Sequence, residues 1–116
     1  MRQLKRSECA ILPLVLEGKW FDMIAFGQKK EEYREYSAYW KPRIWNWKDR
    51  ATAAGEPMVM EFRLGYARYA QRTAFLLADG KFQVRDKYSF PHPDWGEPQV
   101  EHFVLPLGER VKLTDD

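Results

Sequence analysis

Two cations and a carboxylate lie close together in the chain at Lys29, Glu32 and Arg34. Lysine presents a point charge and arginine a planar fork that binds phosphate oxygens in pairs, whereas a carboxylate accepts hydrogen bonds or a proton. If residues 31–36 are extended, their period of two places Glu32, Arg34 and Tyr36 on one face. These residue types predict a site for an anionic ligand or an acid-base pair. The plainer alternative is a solvated junction in which Glu32 and Arg34 pair with each other.

Gly27 marks the change from an apolar segment to this charged one. The apolar residues between Lys19 and Phe26 recur at spacings of three and four, which predicts a helix of about two turns. Glycine readily adopts the left-handed conformation that ends a helix, so the helix should close at Phe26 and Lys29 should lie on the turn. Upstream, the apolar run 10–16 predicts a buried strand in which Pro13 marks an edge or a bulge.

The spacing Gly-x-Lys-x-x-Glu-x-Arg, filled by Gly27, Lys29, Glu32 and Arg34, resembles the motif of ASCH domains, a branch of the PUA-like superfold. The surroundings are similar too, because an apolar strand and a short helix precede the motif and Trp95-Gly96 precedes a final strand. The order of predicted elements is not the regular alternation of a parallel sheet. We therefore expect an α+β fold, a small PUA-like mixed β-barrel with two main helices packed against it. The resemblance implies a cleft between the barrel and the motif.

The same resemblance implies further site residues. In ASCH-like proteins the loop that corresponds to 65–69 lies near the mouth of the cleft, which makes Tyr66 and Arg68 candidate ligand contacts; alone, they would pass as turn residues. One ASCH branch, the 4-acetylcytidine amidohydrolases, has a catalytic Lys, Thr and Glu, and other ASCH proteins are linked to ribonuclease activity. Lys29 matches that lysine, but Glu32 stands where the amidohydrolases place threonine. Lys29 and Glu32 would be the catalytic pair if the chain is an enzyme.

A second helix is predicted from Arg43 to about Ala51, after a turn over residues 37–42 that contains a proline. Indoles and cations alternate here, and such a pattern fits a surface for nucleic acid. The alternative is that one indole fills the core while the charges face water. The candidate ligand contacts in this region are Trp40, Lys41 and Arg43, with Trp40, Trp45, Tyr66 or Trp95 as stacking partners for bases.

The rest of the chain reads mostly as strands. Alternation over residues 58–64 predicts a half-buried strand, and Asp79-Gly80 predicts a type I′ turn that joins strands 73–78 and 81–86 into a hairpin. Three prolines make 87–98 irregular. Residues 101–107 and 110–113 are predicted as closing strands around Gly108.

Length and composition limit the number of domains and the kinds of ligand that the chain can bind. The 116 residues allow one domain, 1–116, of which residues 1–8 are polar and expected to form a flexible arm. A net charge of +2 does not indicate strong polyanion binding of the histone kind, so nucleic-acid contact requires a local basic patch. One cysteine excludes an internal disulfide, and one Cys with two His gives no zinc set. We expect no cofactor, no membrane span and a soluble cytoplasmic protein.

Three functions follow as hypotheses. The first is a module that binds RNA or a nucleotide, the second a hydrolase acting on a modified nucleoside or on RNA, and the third a protein-interaction domain. The third would use surplus aromatic residues, since aromatics make up 16% of the chain. The sequence specifies neither the ligand nor the oligomeric state.

Overall fold

The computed structural model describes residues 1–85 and 101–115, and within these ranges it is an α+β fold of seven strands and two α-helices. The strands are β1 (Arg2–Lys5), β2 (Ala10–Leu16), β3 (Glu31–Glu35), β4 (Met58–Leu64), β5 (Arg72–Leu77), β6 (Gln83–Arg85) and β7 (His102–Thr114). The helices are α1 (Gly18–Ala25) and α2 (Trp40–Ala54). In the described ranges, neither helix is long and apolar enough to cross a membrane.

The strands form one mixed sheet in the order β1-β7-β5-β4-β2, with β3 and β6 paired to β7. The pairs β1/β7 and β2/β4 are parallel and the others are antiparallel. β2 is one end of this order, which suits Pro13 because proline has no N–H for a second neighbour. The described strands do not close into a barrel.

β7 is the strand around which the sheet is built. Residues 102–106 pair with β3 and, over 102–104, with β6, whereas later residues pair with β5 and β1. The two closing strands predicted from the sequence are therefore one strand that runs through Gly108. A Cβ atom at Gly108 would lie 3.0 Å from the carbonyl oxygen of Leu76 and 3.1 Å from the Cα of Ala78. A larger residue at this position would therefore require the backbone of Leu76 and Ala78 to shift by a few tenths of an ångström.

Both helices pack on one face of the sheet. Their buried residues are Phe21, Ile24, Ile44, Trp47 and Ala51, and they meet the even-numbered residues of β2 and β4 in the main core. On the opposite face Cys9, Val59, Ala74 and Val111 form a smaller cluster. β4 is thus buried on both faces, and the prediction of a half-buried strand is wrong because Glu61 and Val59 are covered as well.

The N-terminal residues form ordered structure where the sequence predicts a flexible arm. β1 pairs in register with residues 111–114, and Arg6 donates through both terminal nitrogens to the two carboxylate oxygens of Glu61. Polarity indicated flexibility, but pairing at a sheet edge uses backbone groups and needs no apolar side chains.

The predicted hairpin around Asp79-Gly80 is also wrong. Asp79 (φ 57°) and Gly80 (φ 64°) have the positive φ values that a type I′ turn requires. However, among the described strands β5 pairs with β4 and β7, and β6 pairs with β7 and not with β5. The turn therefore passes the chain from one half of β7 to the other and does not fold β6 back onto β5.

Candidate ligand-binding site between the first helix and the third strand

The backbone after α1 fixes the position of Lys29. Gly27 has φ +77°, as predicted for a residue that ends a helix, and its N–H donates to the carbonyl of Ile24 at 3.2 Å. The N–H of Lys29 then donates to the carbonyl of Met23 at 2.9 Å. The turn therefore folds back over the last turn of α1, and the Lys29 side chain leaves it towards β3.

Lys29, Glu32 and Arg34 form a chain of two ion pairs with the carboxylate in the middle. Lys29 Nζ lies 2.6 Å from Glu32 Oε1, and Arg34 Nη2 lies 2.8 Å from Glu32 Oε2. The side chains of Lys29, Glu32 and Arg34 are 7%, 2% and 17% exposed, so the cluster is largely removed from water. The backbone N–H of Tyr33 also donates to Glu32 Oε1, at 3.0 Å. The predicted grouping of the three charges is present, and it is buried rather than solvated.

Aromatic rings surround the two cations. Lys29 Nζ lies 5.4 Å from the ring centroid of Tyr33 and 5.9 Å from that of Trp20. Arg34 Cζ lies 4.9 Å from the ring centroid of Trp40. These distances are in the range of cation–π contacts. Sequence reasoning missed Trp20 and Tyr33, because no spacing rule indicates that the turn places Nζ near both rings.

Burial lowers the pKa of Lys29 below its ordinary value of 10.5. Desolvation is the largest cause because it disfavours the charged ammonium, and nearby Arg34 acts in the same direction. Glu32 opposes both through its charge and its hydrogen bond, without restoring the ordinary value. Lys29 therefore gives up a proton more readily than a surface lysine does.

A side-chain NMR titration of Lys29 should consequently give a pKa below 10.5. The unfolded chain holds this proton more tightly than the folded chain does, so the free energy of unfolding should rise with pH between the folded pKa and 10.5. Comparison with Lys29→Met isolates this contribution, because the variant lacks the titrating group. An equal pH dependence of unfolding in both proteins, or a Lys29 pKa at or above 10.5, would contradict the burial effect.

The loop that carries Tyr66 and Arg68 begins beside the cluster. Gly65 N–H donates to the carbonyl of Leu16 at 3.0 Å, next to the carbonyl of Val15, which lies 3.5 Å from Arg34 Nη2. Tyr66 itself is 85% exposed, and Arg68 is exposed with its guanidinium 5.4 Å from the ring of Tyr69. The backbone of the loop approaches the site, while the side chains of Tyr66 and Arg68 face solvent.

The start of α2 contributes the remaining predicted contacts. Trp40 is partly buried against Arg34, whereas Lys41 and Arg43 are exposed. Lys41 Nζ lies 4.2 Å from the ring of Tyr36, and Arg43 Cζ lies 3.6 Å from the ring of Tyr39. Trp95, the other predicted stacking residue, lies outside the described residues.

The chemistry of the site rests on charge and rings. Within the part of the chain that the structure describes, no group of three or more His, Cys, Asp or Glu residues is placed to hold a metal ion. With Lys29 protonated, the three charged groups sum to +1, and Arg34 is the most exposed of them. The cluster can therefore attract an anion at its Arg34 end.

Comparison of the chain with protein-family models, curated proteins and solved structures finds no match.

Proposed function

We propose that this chain is an ASCH-type, PUA-like module that binds RNA or a nucleotide at the Lys29-Glu32-Arg34 cluster. The observation that supports the proposal most is the ion-pair chain itself, in which one buried carboxylate holds two cations. Glu32 uses both oxygens in this way, so the guanidinium of Arg34 is oriented before any ligand arrives. Orienting a planar fork in advance lowers the entropy lost when it binds a phosphate.

The aromatic rings near Arg34 are suited to stack on the base of a nucleotide. Trp40 lies beside Arg34, and Tyr39, one residue earlier, is 57% exposed. A base stacked on an aromatic side chain contributes about 1–3 kcal/mol to binding, and Arg34 supplies the charge for its phosphate. A site of this kind binds through a few local contacts, which agrees with the low net charge of the whole chain.

Binding of a labelled single-stranded RNA, measured by fluorescence anisotropy at several salt concentrations, tests the proposal. Arg34→Ala and Lys29→Ala should each weaken binding, and loss of one phosphate contact should lower the slope of log affinity against log salt by about 0.7. Lys112→Ala is the matched control, because it removes an exposed cation from β7 at a distance in sequence from the motif. Unchanged affinity and slope in both motif variants, with unfolding midpoints that show them folded, would refute the assignment.

A hydrolase is the second candidate, favoured by the contact between Lys29 and Glu32. A lysine with a lowered pKa that lies 2.6 Å from a carboxylate can exchange a proton with it, as general acid-base catalysis requires. Incubation at stoichiometric protein with 4-acetylcytidine, and separately with single-stranded RNA, tests this function. Release of acetate or cleavage of the RNA, lost in Lys29→Met, would support it, and no turnover of either substrate would exclude both versions.

A further inference from the structure

A groove lies between α2 and the edge strand β2. Its volume is about 330 Å³, which falls within the range of small-molecule sites. Residues from both elements line it: Ile11, Leu12 and Pro13 from β2, Tyr39 just before α2, and Trp40, Arg43, Asn46, Trp47 and Arg50 from α2. One wall is therefore apolar and the other combines rings with two guanidinium groups.

The polar residues of the groove form a stripe along α2. Arg43, Asn46 and Arg50 follow one another at spacings of three and four, so they share one face of the helix. Arg43 donates to the carbonyl of Tyr39 at 2.6 Å, and Arg50 donates to the carbonyl of Cys9 at 3.2 Å. Each guanidinium has five N–H donors, so these contacts hold the groups in place and leave donors for a ligand. The carboxylate of Glu56 lies 3.7 Å from Arg50 and offsets only part of this charge.

The edge strand does not suit a peptide that adds a further strand. Pro13 has no N–H to donate, and the carbonyl of Ala10 already accepts the indole N–H of Trp47 at 2.8 Å. The carbonyl of Cys9 is likewise taken by Arg50. Strand addition needs a row of free backbone groups, so the groove favours a ligand bound through rings and charge.

Trp40 connects this groove with the candidate site. Trp40 lines the groove, and its ring centroid lies 4.9 Å from the guanidinium carbon of Arg34. Successive rings flanked by cations are how proteins follow a single strand, with bases stacked and phosphates paired. We infer that the groove is a second nucleotide subsite, in which Arg43 and Arg50 bind the phosphates of a single-stranded RNA that continues from the Arg34 end of the cluster past Trp40. This inference rests on the proposed function and adds that the ligand is an oligonucleotide rather than a free nucleotide.

Parallel binding measurements with a labelled single-stranded RNA octamer of mixed sequence and with adenosine monophosphate test the inference. We expect the octamer to bind at least about tenfold more tightly than the mononucleotide, because it fills both subsites. In Arg43→Ala/Arg50→Ala, octamer affinity should fall by about 10-fold to 100-fold and the salt slope by about 1.4, a clearly larger loss than the same variant shows for the mononucleotide. Lys5→Ala/Lys112→Ala removes the same charge at the opposite end of the sheet and should leave the tenfold preference for the octamer intact.

Several results would overturn the inference. Equal octamer affinity in the groove variant and the wild type would mean that RNA does not bind in the groove. If the variant lost the same factor of affinity for both ligands, the groove would belong to the site of a single nucleotide. If the lysine control lost the preference for the octamer as fully as the groove variant does, the preference would depend on net charge and not on the groove. Arg43→Glu provides a second test, because Arg43 is exposed and charge reversal there should weaken octamer binding without unfolding the chain. If the wild type binds neither ligand, the proposed function fails together with the inference.

Discussion

Glu32→Gln should destabilise the folded chain by about 3–5 kcal/mol, because it removes the negative charge that pairs with two cations in a largely buried cluster. Glu32 is 2% exposed and both its oxygens are bonded, one to Lys29 and one to Arg34. Removing one member of a buried ion pair leaves its partners desolvated and uncompensated. In this variant two cations would share one site, and Arg34 already lowers the pKa of Lys29.

Urea unfolding followed by fluorescence measures this loss. Glu35→Gln is the matched control, since Glu35 belongs to the same strand but is exposed, and it should leave the free energy of unfolding nearly unchanged. Lys29→Met/Glu32→Gln should recover part of the loss, because it removes one charge of each sign. A cost for Glu32→Gln no larger than that of Glu35→Gln would mean that the cluster is solvated. The pre-oriented site proposed above would then have no support.

The motif could be predicted from the sequence because its geometry is local. Gly27 determines where α1 ends, and the period of two in β3 places Glu32 and Arg34 on the same side. The distance from Gly27 to Arg34 is only seven residues, so no tertiary partner is needed to bring the charges together. The extent of burial could not be predicted from that pattern. It depends on β7, which pairs with β3 and lies about 70 residues further along the chain.

Elements whose position depends on a distant partner were predicted poorly. β5 and β6 were expected to pair with each other because the turn between them has favourable residues, yet both pair with β7. Turn chemistry decides the local φ and ψ, as Asp79 and Gly80 show, but competition between possible partners decides the pairing. The position of β1 also depends on a distant partner. Its four residues are mostly polar and show no pattern from which the parallel pairing with β7 could be predicted. The groove along α2 depends on β2 in the same way.

Trp47→Ala should destabilise the fold by about 3–5 kcal/mol, the usual cost of removing a buried aromatic side chain. The sequence left open which indole of α2 enters the core. In the structure Trp47 is 4% exposed and stacks on Phe82 with ring centroids 6.4 Å apart, whereas Trp45 is 37% exposed. Trp47 also donates its indole N–H to the carbonyl of Ala10 and so ties α2 to the edge strand β2.

Thermal and urea unfolding should be compared for three variants, Trp47→Ala, Trp47→Phe and Trp45→Ala. The comparison separates the contributions to stability of Trp47 packing, of its hydrogen bond and of Trp45 packing. Trp47→Phe keeps most of the packing but leaves the carbonyl of Ala10 without its donor, so it should cost about 1–3 kcal/mol. Trp45→Ala should cost less than Trp47→Ala, since Trp45 is 37% exposed and buries less of its surface against Phe82 and Phe103. If Trp45→Ala proved as costly as Trp47→Ala, the face of α2 that packs on the sheet would be different. The groove would then lose the wall formed by Arg43, Asn46 and Arg50.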